Sequence, residues 1–467
     1  MRIKLIIIQL LFAQLHGYSQ NHWYPEGDAE YNTIDTVVAA FYNDSTNNIL
    51  YVGGRFNHLG GVPANHIAYW DGVSWNTMGS GIDTGGLVGV NAICQYNGEI
   101  YATGTFRSFN NVIYNNVARW DGSSWLPLSG GLHGNTVPTV FDMCVYNGLL
   151  YFVGRFDSAG TVPASGVAAW DGTNWHPLGN STVSIFWPQS CIVHDSTLVM
   201  GGVFTNVDTG SGILNAPRVV GWNSYDDQWV TYGNIGGLVN DLVEFHGEIY
   251  AGGSFQNANG NNISKWNGNT WTPLGSGLDN YVRALCVYED SLVAGGGFRH
   301  ASSLTVNFIA MWDGASWVNL DSGFSSPTAF LPDVAGCIQF GDRIYAGGLF
   351  SYASTTKCAK LAVWPHSPLI VADPSFAQNQ FSVSPNPFSE LITINYTVVD
   401  NGPIEIRILD VLGNIVSTPL SEQQSTIGSF SLLLNADALC IVAGMYFFEI
   451  ITEHSHTVQK VIFQNSK

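Results

Sequence analysis

Charge is what this sequence has least of. Asp, Glu, Lys and Arg make up 11% of its 467 residues, against about 25% in ordinary soluble domains. Lys and Arg number only 16 and the formal net charge is −19. Without cations to neutralise phosphates, the chain is not built for nucleic acid, whereas self-repulsion suits a dispersed extracellular protein. Long apolar runs are equally scarce. The run Leu5–Leu15 holds eleven residues, too few for a bilayer that needs about 20, so no transmembrane segment is expected. Catalytic signatures are missing as well: no Gly-x-Ser-x-Gly, no His-Glu-x-x-His, no phosphate loop. No zinc-like Cys or His spacing occurs among 7 cysteines and 12 histidines, and no loop of alternating carboxylates offers calcium a site. Neither metal nor cofactor is therefore expected.

What the chain does have is aromatic residues, at 13%, and 52 glycines. That mixture, poor in Lys and Glu, reads as all-β with many tight turns. At the N-terminus Arg2 and Lys4 precede the apolar run, and Gly17 and Ser19 follow it. This is the layout of a signal peptide over 1–19, with the mature chain starting at Gln20.

An internal repeat dominates the rest. Each copy reads as an apolar strand, a tight turn, Tyr-x-Gly-Gly-x-Phe, a loop, then Trp-Asp-Gly-x-x-Trp. The first tryptophans are Trp70, Trp120, Trp170, Trp222, Trp266, Trp312 and Trp364, spaced by 50, 50, 52, 44, 46 and 52 residues. That period suits a four-stranded propeller blade. The glycine pairs are expected to let neighbouring sheets approach or to permit a bulge. Phe56, Phe106, Phe156, Phe204, Phe255, Phe298 and Phe350 should fill the layers between blades. The Asp-Gly steps at 71, 121, 171 and 313 are hairpin turn chemistry rather than catalytic aspartates. Cys94, Cys144 and Cys286 share one place in the repeat, and Cys191 and Cys337 sit one residue earlier. This periodicity reads as small buried residues and not as disulfides. The last copy lacks its outer strand, and the segment from His22 aligns with the one from Ser74, so that Trp23 matches Trp75. The N-terminal strand is thus expected to complete a seventh blade and close the ring, removing the exposed edges. Phrases such as GGRFNHLGGVPANHIAYWDGVSW resemble those of kelch-type and related cell-surface propellers over residues 21–370, and the propeller is placed at 20–366.

After Trp364 the text changes. A Pro-rich stretch, 367–380, reads as a linker. From 381 to 467 alternating strands suggest a small antiparallel β-sandwich. Four pieces, Ser384-Pro385-Asn386-Pro387, Ile408-Leu409-Asp410-Val411-Leu412-Gly413, Gly444-Met445-Tyr446 and Lys460-Val461-Ile462, stand in order here. The segment resembles the C-terminal sorting domain of proteins exported by the type IX system of Bacteroidetes. The resemblance implies recognition by the type IX translocon after signal-peptide export to the periplasm, and a secreted or outer-surface location.

Function is expected on the propeller. Turns between the first and second strands and between the third and fourth are short. The other two classes of connection are long, and antiparallel geometry puts both on one face, where variable loops on a rigid scaffold carry function. On that face His133, Phe186, Trp187, Tyr281, His300, Phe330 and Tyr352 are candidate ligand-binding residues, because rim aromatics stack on sugars or anchor protein partners. A glycan- or protein-binding, adhesion-like protein is the first reading. A carbohydrate-active enzyme with carboxylates converging in the central pocket is the second, and a purely structural surface protein the third.

Overall fold

The computed structural model describes residues 23–365, apart from 26–28, 31–36, 83–88, 110–111, 135–137, 179–186, 210–211, 258–259, 327–330 and 359. It also describes residues 381–464, apart from 399–403, 411–414, 423–427, 440 and 453–455. The expected signal peptide and linker lie outside the described residues. The chain divides into two compact units, Met1–His366 and Ser367–Lys467.

Each repeat of the first unit forms a four-stranded antiparallel sheet. In blade 2 the strands, from inner to outer, are Val90–Tyr96, Glu99–Gly104, Val117–Trp120 and Trp125–Pro127. The inner strands of blades 1 and 3–7 are Val37–Asp44, Thr139–Tyr146, Trp187–His194, Leu238–Phe245, Val282–Tyr288 and Asp333–Phe340. Each inner strand packs beside the next, and that of blade 7 packs beside that of blade 1. The result is a seven-bladed β-propeller. The N-terminal strand is its clasp: Tyr24–Pro25 pairs with Leu361–Trp364 as the outer strand of blade 7.

The repeated residues perform separable tasks. In every blade the two tryptophans pack at a tilt across the outer hairpin, with ring centroids 4.9–5.5 Å apart, Trp23 and Trp364 included. The second tryptophan also reaches the preceding blade. Trp125, Trp175, Trp271, Trp317 and Trp23 donate Nε1–H to the carbonyls of Met78, Ser129, Tyr232, Leu274 and Leu320. All seven motif phenylalanines are buried in the layers between blades. The two glycines of a pair do different things. A Cβ on Gly53 would lie 2.6 Å from Val90 Cγ1 of blade 2, so this glycine permits the approach of the next blade. One on Gly54 would lie 2.2 Å from the Val37 carbonyl oxygen, where the inner strand of its own blade bulges. The same bulge recurs in all seven inner strands, skipping Ala39, Asn91, Phe141, Gln189, Asn240, Arg283 and Ala335.

The Asp-Gly steps are turns. Asp71 Oδ1 accepts the N–H groups of Val73 and Ser74 at 2.8 and 2.7 Å, and Asp121, Asp171 and Asp313 repeat the arrangement. These donors lower the pKa of each exposed carboxylate, joined at Asp171 by His176, the largest contributor there. The opposite face holds more order than its variable text suggests. Every connection between second and third strands is a small hairpin, such as His58–Leu59 with Val62–Pro63. Links between blades pair with these hairpins: Ala29–Glu30 with His58–Leu59, Leu132–His133 with Ser158–Ala159, and Phe324–Ser325 with Tyr352–Ala353. This crowned face is thus pinned by backbone hydrogen bonds, and the Asp-Gly turns occupy the other, turn face.

The second unit is a sandwich of two antiparallel sheets. One holds Phe381–Ser384, Leu391–Val398 and Gly428–Asn435, and the other Ile415–Glu422, Ile404–Leu409, Gly444–Thr452 and His456–Phe463. Alternating residues Ile392, Ile394, Ile404, Ile406, Ile408, Phe448 and Ile450 fill the core, as a strand with one buried face requires.

Candidate functional site

The inner strands enter from the crowned face, so their first residues and the links preceding them form the rim there. At blades 6 and 7 this rim gathers charged and aromatic side chains. Asp279, in the link entering blade 6, accepts the N–H groups of Arg299 and His300 at 2.8 and 3.0 Å, and its Oδ2 lies 2.7 Å from His300 Nδ1. Burial acts to raise the Asp279 carboxyl, but the backbone donors and His300 outweigh it and hold it low. Two residues on, Tyr281 covers Gly297, where a Cβ would lie 2.5 Å from its Cζ. Burial and the nearby Asp333 charge raise the phenol. Arg283, the bulge residue of blade 6, forms an ion pair with Asp333 Oδ2 while half of its own side chain stays exposed. Asp333 is 7% exposed, and its Oδ1 is buried without a hydrogen-bond partner.

Of the expected binding residues, Tyr281 and His300 are therefore brought together through Asp279. The others stand apart. His133 is exposed and held by main-chain pairing with Ser158. Trp187 opens the inner strand of blade 4, half-buried, with the Arg155 guanidinium 5.5 Å from its ring centroid. Tyr352 sits in the blade 7 hairpin opposite Ser325 and Lys357. Phe186 and Phe330 lie outside the described residues. Sequence reasoning missed Asp279, Arg283 and Asp333. The available signal was that blade 6 alone puts an arginine at the bulge, and blade 7 alone starts its inner strand with an aspartate.

Carboxylates also converge on the inner strands. Asp142 of blade 3 accepts N–H from Met143 and from Cys191 of blade 4 at 2.8 and 2.9 Å. Asp241 of blade 5 accepts N–H from Leu242 and from Leu285 of blade 6 at 2.9 and 2.7 Å, and the Ser190 hydroxyl at 2.9 Å. Ser190 Oγ in turn accepts Leu242 N–H at 3.1 Å. One strand position in three successive blades thus caps the main chain of the next. Burial raises Asp142 to about 6 and Asp241 to about 7, against the lowering effect of these donors; the Asp142 charge also raises Asp241. Chemically the set can hold a proton near neutrality. Its oxygens, however, already face backbone donors. Among the described residues no group of three or more His, Cys, Asp or Glu could hold a metal ion, and no helix is long and apolar enough to cross a membrane.

In the second unit the motif pieces meet. Asn386 donates Nδ2–H to the Lys460 carbonyl at 2.8 Å and accepts Ile462 N–H at 2.9 Å. Met445 and Tyr446 pair across the sheet with Ile462 and Val461. Residues Val411–Gly413 of the remaining piece lie outside the described residues. Residues 382–464 match the secretion system C-terminal sorting domain family. The C-terminal unit is a type IX sorting domain. It directs export by the type IX secretion system, whose machinery is its partner, and gives the protein a secreted or cell-surface location.

No curated protein matches the chain. Among solved structures it is similar to Saccharomyces cerevisiae Sqt1, at 12% identity and a TM-score of 0.39, over 81% of this chain and 96% of that one. It is also similar to the Neurospora crassa Pan2 WD40 domain, at 10% identity and a TM-score of 0.29, over 71% and 83%. Likenesses at this level carry no argument, and the propeller stands on its own sheet topology.

Proposed function

We propose that this exported propeller, of the kelch size class, is an adhesion-like binding protein that takes a glycan or protein ligand on its crowned face, centred on blades 6 and 7. The observation that carries this reading is the cluster of Tyr281, Arg283, His300, Asp279 and Asp333. It offers an aromatic surface, a half-exposed cation and an imidazole, all held by rigid main-chain pairing. Pre-organised groups of this kind lose little entropy on binding. The Asp142–Ser190–Asp241 chain favours a second reading as a glycosidase, because a carboxyl near neutrality can act as a general acid. Its backbone donors support a structural role instead. A glycan-array, surface-protein and polysaccharide-hydrolysis screen of the full chain tests both. Binding without product release, weakened at least tenfold (about 1.4 kcal/mol) in Tyr281→Ala/His300→Ala, is the expected result. Hydrolysis abolished by Asp241→Asn would replace the first reading with the second.

A further inference from the structure

Five of the repeat cysteines lie on inner strands, and their one-residue offset changes what they face. Successive strand residues point to opposite sides, so moving one place along flips a side chain to the other face. In blade 3 the Asp142 side chain reaches forward to the Cys191 N–H of blade 4. Cys144, two residues after Asp142, shares that forward face. Cys191 occupies the offset position and faces back. The two meet in one core: Cys144 packs against the buried cluster that contains Cys191. The same register recurs three blades further round the ring. Cys286 of blade 6 takes the forward position and Cys337 of blade 7 the offset one, and again Cys337 packs against the buried cluster that contains Cys286. Cys94 also points forward, but Met143 occupies the offset position of the blade it meets, and both belong to one core. All six described cysteines are free thiols in this structure.

We propose that Cys144–Cys191 and Cys286–Cys337 are two inter-blade redox sites that close as disulfides when the exported chain folds in the oxidising periplasm. Such compartments favour disulfides, and the sorting domain takes the chain through one. The oxidant is a disulfide of a protein or small molecule. A thiolate of the pair attacks one of its sulfurs, expelling a thiolate and forming a mixed disulfide. The second cysteine thiolate then attacks that bond. One S–S bond breaks and one forms, the pair loses two electrons, and its two protons end on the two thiols of the reduced oxidant. Burial raises the Cys191 thiol; at Cys337 the hydrogen bond to Cys286 and burial both do so. Thiolate at Cys191 and Cys337 is therefore scarce once the ring has formed, and closure is assigned to folding, while the blades dock.

Denaturing, non-reducing alkylation and peptide mass mapping of the full-length protein, purified after export to the periplasm, tests this. The expected map links Cys144 to Cys191 and Cys286 to Cys337, and leaves Cys94, Cys358 and Cys440 alkylated. In Cys191→Ser, Cys144 should become alkylated while the Cys286–Cys337 link persists. Alkylation of all seven cysteines of the wild type, or links joining other partners, would overturn the proposal; that wild-type map decides the matter even where the variant fails to fold.

Discussion

At the residue scale, the inner-strand aspartates show how one side chain can serve as a cross-blade fastener. Asp142 and Asp241 each bind a main-chain N–H of their own strand and one of the next blade. They do so where burial raises them to about 6 and about 7. The sign of the linkage follows. A carboxyl whose folded pKa is raised binds its proton more tightly in the folded state. Its contribution is fully present below the unfolded pKa of about 4, is lost as pH rises toward 7, and is constant above that. Wild-type unfolding free energy, measured by denaturant titration, should fall between pH 4 and pH 7 relative to Asp142→Asn/Asp241→Asn by on the order of 6 kcal/mol, at about 1.4 kcal/mol per pKa unit. Parallel pH profiles for the two proteins would show that these groups are not raised. Such convergence was invisible in the sequence, since Asp142, Ser190 and Asp241 are about one repeat apart and each looks like an isolated polar residue in an apolar strand.

At the scale of the element, the blade was legible because its signals are local. Paired tryptophans, an Asp-Gly turn and a glycine pair each act within a few residues, and the alignment of Trp23 with Trp75 was enough to place the clasp. The hairpins of the crowned face were not legible. Their strands are mostly two residues long, too short for alternation to register, and their order comes from pairing with a link that enters from the preceding blade. Cysteine placement was legible as a pattern, but the meaning of its one-residue offset needed the strands side by side. The clasp makes a direct prediction. Trp23 is 1% exposed, packs at a tilt against Phe324 and Trp364, and donates a hydrogen bond to the Leu320 carbonyl of blade 6. Trp23→Ala should destabilise the propeller by about 3–5 kcal/mol, as for other buried tryptophans, read by chemical denaturation. A loss under about 1 kcal/mol would mean that the ring does not depend on its N-terminal strand.

At the scale of the whole molecule, the chain combines a rigid ring with a sorting domain that exports it. Ring closure hides the sheet edges that would otherwise recruit other chains, leaving one face of tight turns and one crowned by pinned hairpins. We propose recognition on the second. Of the seven candidate residues, Tyr281 and His300 stand close together on that face, on either side of Asp279. The Arg283–Asp333 ion pair beside them escaped notice because the arginine sits at a bulge and in no sequence motif. The most direct test compares ligand binding by wild type, Tyr281→Ala/His300→Ala on the crowned face, and Tyr225→Ala in a third-to-fourth-strand turn on the opposite face. The ligands are those found in the glycan and surface-protein screen. At least a tenfold loss (about 1.4 kcal/mol) is expected for the crowned-face variant and none for Tyr225→Ala. Loss confined to Tyr225→Ala would contradict recognition on the crowned face.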